Sequence, residues 1–220
     1  MKEIIIFGTG LIAEVAHFYF THDSDYTVAA FTVDGSYLKE ATFLGLPCIP
    51  FESIEKAFSP DQFSMFTALS YSQLNELRAQ KYHEGKSKGY NFVNYVSSKA
   101  TVWSKLNSQE NCFILEDNTI QPFVKIGNNV TLWSGNHIGH HAEIGDNCFI
   151  SSHVVVSGEV IIGKNCFIGV NATLRNNISI GNNCVIGAGA LVMKNVDENS
   201  VYIQEATSAS KISSQRLRNL

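Results

Sequence analysis

Residues 126–145 read I-G-N-N-V-T-L-W-S-G-N-H-I-G-H-H-A-E-I-G, with an aliphatic side chain at Ile126, Leu132, Ile138 and Ile144 and glycine directly after three of them. Followed outward, the six-residue period runs without a slip through Ile114, Ile120, Ile150, Val156, Ile162, Ile168, Leu174, Ile180, Ile186 and Val192. Two residues ahead of many of these stands a small side chain: Val124, Val130, Ala142, Cys148, Val154, Val160, Cys166, Ala172, Cys184 and Ala190. A period of six suits neither a helix of 3.6 residues nor a plain strand of two. It suits a triangular coil in which each hexapeptide forms one flat side and one corner. Eighteen residues then close a turn, and positions i and i+18 stack about one strand spacing (~4.8 Å) apart.

Cys148, Cys166 and Cys184 are eighteen residues apart, and Cys112 lies two turns before Cys148 with Val130 between them. This spacing predicts one inward column of small apolar thiols rather than a metal or disulfide site. Five cysteines in a chain without a secretory leader point to a reducing, cytoplasmic setting. Sixteen Lys+Arg against twenty Asp+Glu give a net charge of −4 and no reason to expect a nucleic-acid partner. No apolar run approaches the length of a membrane span.

Residues 1–97 lack the six-residue period and alternate between strand and helix. Ile4 to Phe7 reads as a buried strand, Gly8-Thr9-Gly10 as a tight turn, and Leu11 to Phe20 as a helix with Ile12, Val15, Ala16 and Tyr19 on its apolar face. Thr27–Thr32 is a second strand. The stretch Pro47-Cys48-Ile49-Pro50 is a connection, Phe51–Phe58 a short helix and Phe63–Leu69 a strand. Tyr71–Glu84 is a helix that Ser70 and Gln73 would cap as a box, and Tyr90–Tyr95 is a last strand. The alternation implies an α/β head with a small parallel sheet, Rossmann-like in connectivity.

Gly8-Thr9-Gly10-Leu11-Ile12-Ala13 matches the G-x-G-x-x-A fingerprint, whose small residues let backbone amides and a helix N-terminus approach phosphate. Too little chain remains before the coil for a full dinucleotide domain. The turn with Asp34 is therefore read as a half-site for one nucleotide, Asp34 accepting from base or ribose; a strand-end Asp with no ligand is an equal reading.

The coil should occupy 98–203, with Val102 in register and Ser108 out of it, and break at Asp197-Glu198-Asn199-Ser200 before a last extended piece at Val201–Ile203. Within 204–220, Ser208–Arg218 reads as a short capping helix bearing Lys211, Arg216 and Arg218.

Four of the seven histidines, His137, His140, His141 and His153, fall within seventeen residues, whereas His17, His22 and His83 are scattered over the head. Histidine titrates near neutrality, so this clustering marks the site. Stacking sorts the four. Eighteen residues beyond His140 lies Gly158, and beyond His141 lies Glu159; His153 falls between Gly135 and Asn171, with Gly189 further on. His140 and His153 should each face a glycine one turn away, leaving a groove beside the ring. Asn118 and Asn136 should stack inward, where a ladder serving the coil backbone is their more ordinary role.

An α/β head followed by a hexapeptide coil, with Asn136-His137-Ile138-Gly139-His140-His141 and Ser152-His153, resembles the bacterial nucleotide-sugar N-acetyltransferases of the sialic-acid and bacillosamine type. These belong to the hexapeptide-repeat acyltransferases, and the resemblance implies a left-handed parallel β-helix, acetyl-CoA as co-substrate, no required metal, and a nucleotide-linked amino sugar as acceptor. It places the catalytic base on His140, the amide that holds the acetyl carbonyl on Gly158, and an accessory role on His141. Coenzyme contacts are expected at His153, Gly158, Asn171, Ala188 and Gly189, and sugar-nucleotide contacts at Gly8, Gly10, Asp34, Asn136 and His137. Bacillosamine-pathway members carry Glu after the catalytic histidine; here that position is His141, with Glu143, Glu159 or Asn136 as other partners. The family's Gly-x-Pro-Ala turn near the adenine is replaced by Gln204-Glu205-Ala206-Thr207.

A flat-faced coil cannot enclose a pantetheine arm alone, so a homotrimer with sites between subunits is expected. Three rival readings stand beside this one. They are a sugar O-acetyltransferase of the same fold, a zinc lyase of the hexapeptide carbonic-anhydrase type using His137, His141 and His153, and a non-catalytic NAD-binding or scaffold protein.

Overall fold

The computed structural model describes residues 2–103 and 109–216, so Ser108 and Arg218 lie outside the described residues. The head comprises β1 (Lys2–Phe7), α1 (Leu11–His22), β2 (Tyr26–Val33), β3 (Thr42–Phe43), β4 (Leu46–Pro50), α2 (Ile54–Ala57), β5 (Ser64–Thr67) and α3 (Glu76–Ser87). Its sheet runs β3-β4-β2-β1-β5, parallel except for the β3–β4 hairpin. Ile4, Ile5 and Ile6 are fully buried because helices cover both faces of β1, the usual environment of a parallel strand.

Three expectations for the head need correction. Pro47–Pro50 is strand rather than connection, since Cys48, Ile49 and Pro50 pair with Phe31, Thr32 and Val33. Proline is tolerated there at the strand's ends. The capping box at Ser70 and Gln73 does not form: Gln73, Leu74 and Asn75 are left-handed in succession and α3 begins only at Glu76. The fully buried Asn75 instead sends its amide to the Cys166 carbonyl on the coil, at 3.2 Å. Tyr90–Tyr95 is not one strand: Phe92 bridges to Met65, while Tyr95–Val96 is already the first rung of the coil.

From there the chain winds as a three-sided parallel β-helix. The head-side face stacks Tyr95–Val96, Phe113–Ile114, Thr131–Leu132, Phe149–Ile150, Phe167–Ile168, Val185–Ile186 and Val201–Tyr202. The second face stacks Thr101–Val102, Thr119–Ile120, His137–Ile138, Val155–Val156, Thr173–Leu174 and Leu191–Val192. The third stacks Lys125–Ile126, Glu143–Ile144, Ile161–Ile162 and Ser179–Ile180. Rungs pair with the residues eighteen further on, as with Ile138 and Val156, except at the end, where Val185–Ile186 pairs with Val201–Tyr202 only sixteen on, and the topology fits the left-handed hexapeptide coil.

The period-six aliphatics fill the triangular interior, each burial worth ~1.5–3 kcal/mol. Cys112, Cys148, Cys166 and Cys184 form the expected column of buried free thiols. The Sγ atoms of Cys148, Cys166 and Cys184 lie against the carbonyls of Gly163, Gly181 and Asp197 at 3.0–3.1 Å. Beyond Tyr202 the chain is exposed, and its one described turn is Ser214–Arg216 rather than a capping helix from Ser208.

The head is seated on the head-side face. Phe113 and Leu115 join the core beneath α1, and Tyr71 packs on Phe149 and Phe167. Arg78, 1% exposed, sends its guanidinium to Thr131 Oγ1 and the Asn147 carbonyl at 2.8 Å. Burial without a carboxylate partner pushes its pKa down to about 10. One face is thereby spent on the head, and the edge between the other two is left open.

Candidate active site

The edge between the second and third faces is built from hexapeptide corners. Gly139 opens one corner because a Cβ there would stand 2.5 Å from the Gly158 nitrogen of the next coil. His140 follows, exposed, its backbone N–H held by Gln121 Oε1 at 2.8 Å. His141 turns the chain with a left-handed φ of 59°.

The His140 ring lies directly against Gly158. A Cβ on Gly158 would meet ring atoms Cε1 and Nε2 at 2.8 Å. The stacking read from the sequence therefore holds, with one difference: the ring itself occupies the space over the glycine, rather than standing beside an empty groove. At equivalent corners a side-chain oxygen takes the backbone N–H, as Asp146 does for Asn128 and Asn182 for Lys164. The Gly158 N–H donates no hydrogen bond among the described residues. A donor without an acceptor thus sits beside an imidazole, the pairing that an acyl-transfer centre needs.

His140 Nδ1 and His141 Nδ1 are 3.1 Å apart. With Nδ1–H of His140 donating to His141, Nε2 of His140 carries the lone pair and faces the glycine. Phe123 packs on the other ring, 4.7 Å from the His141 centroid. Of the other partners foreseen for His140, Glu143 is bound to Lys125 at 2.6 Å and Glu159 is exposed at the next corner. Asn136 is 1% exposed: its Oδ1 accepts from Val154 N–H at 2.8 Å and its Nδ2 donates to the Trp133 carbonyl. Both groups thus serve the coil backbone, the ladder role that is the more ordinary one for a buried amide.

The residues expected at the coenzyme divide. His153, Asn171, Ala188 and Gly189 line the corner between the head-side and second faces, with left-handed φ at His153, Asn171 and Gly189. His153 rests on Gly135 as His140 rests on Gly158. His137 lies on the flat second face between these edges, over Thr119 and under Val155. Five residues of extended chain, at ~3.3 Å each, set the two edges up to about 16 Å apart. Among the described residues no three His, Cys, Asp or Glu side chains converge as a metal site, and no helix is long and apolar enough to cross a membrane.

In the head, Gly8 has φ 126° and stands where a Cβ would be 2.8 Å from the Ala68 carbonyl oxygen, so packing alone requires glycine. Gly10 is open and precedes the N-terminus of the twelve-residue α1. It borders a hollow of about 520 Å³ with Thr9, Val33, Tyr37, Leu38 and Phe43. Asp34 does not line this hollow. Its Oδ1 is 2.7 Å from Lys81 Nζ, on a separate charged surface with Glu84. Asp34 is thus held by a lysine on a hollow other than the one that Gly10 borders. Sequence reasoning missed Gln121, which no local pattern marks, and the aromatic lining at Tyr37 and Phe43.

Two family models match the coil: bacterial transferase hexapeptide (six repeats) over residues 123–158, and the hexapeptide repeat of succinyl-transferase over 159–194. No curated protein matches the chain. Among solved structures, the chain is similar to PerB from Caulobacter crescentus, in complex with CoA and GDP-perosamine, with a TM-score of 0.78 at 21% identity. That match covers 91% of this chain and 93% of the other. The acetyltransferase domain of PglB from Neisseria gonorrhoeae gives 0.75 at 19% identity, and WeeI from Acinetobacter baumannii 0.75 at 18%. Each of these two covers 91% of this chain and 96% of the other. These likenesses establish that head and coil together form a shared fold.

Proposed function

From a chain whose residues 123–194 belong to the hexapeptide repeats of bacterial transferases, we propose an acetyl-CoA-dependent N-acetyltransferase acting on a nucleotide-linked amino sugar. The observation that carries this reading is the His140 imidazole seated against Gly158, whose N–H lacks an acceptor. The ligands named with PerB, CoA and GDP-perosamine, support both substrate classes.

The chemistry follows from the corner. The neutral sugar amine attacks the thioester carbon, and the carbonyl oxygen gathers charge within reach of the Gly158 N–H. His140 Nε2 takes the proton that the nitrogen sheds, while Nδ1–H leans on His141. The tetrahedral centre then collapses, the C–S bond breaks, and the thiolate leaves as CoA by taking that proton. The products are an amide and free thiol, and His140 is again neutral.

The head, Rossmann-like in this reading, holds the nucleotide at the hollow beside Gly10, where the N-terminus of α1 attracts phosphate. Coenzyme residues on two edges up to about 16 Å apart are brought onto one ligand if His140 of one copy faces the His153 edge of another. A homotrimer closes such a ring. Thiol release from acetyl-CoA, followed with UDP-, dTDP- and GDP-linked amino sugars and their hydroxyl counterparts, tests the proposal. Turnover confined to an amino sugar is the expected result. Turnover confined to hydroxyl sugars would make the enzyme an O-acetyltransferase, and none with either would overturn the reading.

A further inference from the structure

We infer that Phe123, one coil below His141, is a positioning residue of the acyl-transfer corner: its ring face holds His141 in line with His140 and steadies the positive charge that the pair gains. The inference rests on the acetyltransferase reading and deepens it. Phe123 fills the corner slot eighteen residues before His141, and Pro122 beside it accepts the His141 N–H on its carbonyl at 3.3 Å. The centroids of the two rings are 4.7 Å apart and their planes 33° from parallel.

Nothing in the stability of the coil calls for phenylalanine at this slot. The side chain is 70% exposed and the backbone left-handed, at φ 66°. An exposed aromatic ring forgoes the gain of burial. A left-handed backbone favours asparagine or glycine, and at the edge between the third and head-side faces asparagine fills five successive slots. Strain and exposure kept together at one position mark a functional use. Among the described residues the aromatic partner of this ring is His141 alone.

The chemistry gives the ring face its work. With the two Nδ1 atoms 3.1 Å apart, His140 and His141 act as one base. As the sugar amine attacks the thioester carbon, its proton passes to His140 Nε2, and the Nδ1 proton of His140 moves to His141 Nδ1. The positive charge then rests beside Phe123, whose π face is negative and attracts a cation within about 6 Å of its centre. When the C–S bond breaks, the thiolate takes the Nε2 proton and His141 returns the other. No carboxylate lies within ion-pair reach of either imidazole among the described residues. Glu143 is spent on Lys125 at 2.6 Å, and Glu159, one coil above His141, is exposed to water. The charge that a carboxylate would otherwise balance is left to the aromatic face.

Thiol release from acetyl-CoA with UDP-, dTDP- and GDP-linked amino sugars tests this on the full chain. Phe123→Leu keeps the apolar bulk and the backbone cost but removes the ring face. Its kcat should fall about 3- to 10-fold, with KM for both substrates within about two-fold of wild type. Phe123→Tyr should keep the wild-type rate. In a His141→Ala background, Phe123→Leu should cost nothing further, because its effect runs through that ring. A loss that persists in that background, or one confined to KM, overturns the assignment, as does a loss carried by Glu159→Gln instead. Nitrogen NMR of the imidazoles needs no substrate and keeps the two readings apart. Wild type and Phe123→Tyr should hold the His140 proton on Nδ1, and Phe123→Leu should mix the tautomers. That pattern without turnover overturns the acetyltransferase reading and leaves the positioning intact, whereas one tautomer in all three overturns the role of Phe123.

Discussion

Two edges of the same prism use one backbone for opposite ends. Between the third and head-side faces, Asn111, Asn129, Asn147, Asn165 and Asn183 occupy the left-handed corner slot at φ 56–63°. Their amides run in a ladder, each Nδ2 to the next Oδ1 at 2.7–3.2 Å, ending on Asn199. Between the second and third faces the equivalent slot holds Phe123, His141, Glu159 and Asn177, at φ 57–66°. Left-handed backbone costs an ordinary L-residue ~1–2 kcal/mol and asparagine less. The first edge therefore minimises its cost and satisfies every amide, while the second accepts strain and leaves imidazoles and an amide N–H facing outward. Uniform corners hold the coil together. The irregular corner is where the proposed chemistry would be done.

The sharpest way to break that contrast is His140→Ala. Turnover should fall about 10²–10⁴-fold, the range of a positioned proton acceptor, with acetyl-CoA binding retained. The residual rate should climb with pH as free amine no longer needs an enzyme base. A pH–rate profile in which His141→Ala is the more damaging change would move the base to the neighbouring ring.

Gly158→Ala probes the same corner from above and should cost less. Its backbone tolerates alanine, but the new Cβ would stand 2.8 Å from the His140 ring and must push it aside. A displacement on the scale of 1 Å lowers kcat by about 10²-fold at most, and thermal unfolding should stay near wild type. Unchanged kcat would separate His140 from Gly158 as a functional pair.

The contrast also shows what the sequence makes legible. A period of six aliphatics survives translation into structure because every position is decided by the same interior, so the coil, its faces and the cysteine column could be read directly. The His140–Gly158 contact followed from counting eighteen residues. The Asp34–Lys81 ion pair could not be read, because the lysine lies on a helix forty-seven residues away. Ser70 and Gln73 promised a cap, but the buried Asn75 took the chain left-handed to reach the coil backbone. Pro47–Pro50 hid a strand because its pairing with Phe31–Val33 is set by tertiary contact. Local pattern spoke for the repeat, and distant partners decided the head.

Asn147→Ala tests the ordered edge. It removes two ladder hydrogen bonds, to Asn129 and Asn165, and places alanine at φ 63°. Stability should drop by about 1–3 kcal/mol in urea unfolding, with kcat per folded molecule unaltered. Asn147→Gly should restore the backbone share and leave only the lost amide bonds. If kcat fell with either substitution, the two edges would not be independent.

The smallest effect is expected on the third face, where Lys125 and Glu143 stack one coil apart with their charged ends at 2.6 Å. The side chains are 76% and 45% exposed, so water and salt screen the attraction and each long stem loses rotamer freedom in holding it. Lys125→Met should therefore change stability by less than about 0.5 kcal/mol, and 1 M salt should erase even that. Exposure is the premise of the estimate, which makes the variant a probe of what covers the face. A loss above about 1 kcal/mol at high protein concentration that fades with dilution would mean that the pair is shielded from water by a second copy of the chain. The third face would then belong to a subunit contact, and the open edge carrying His140 would lie at the border of that contact rather than in free solvent.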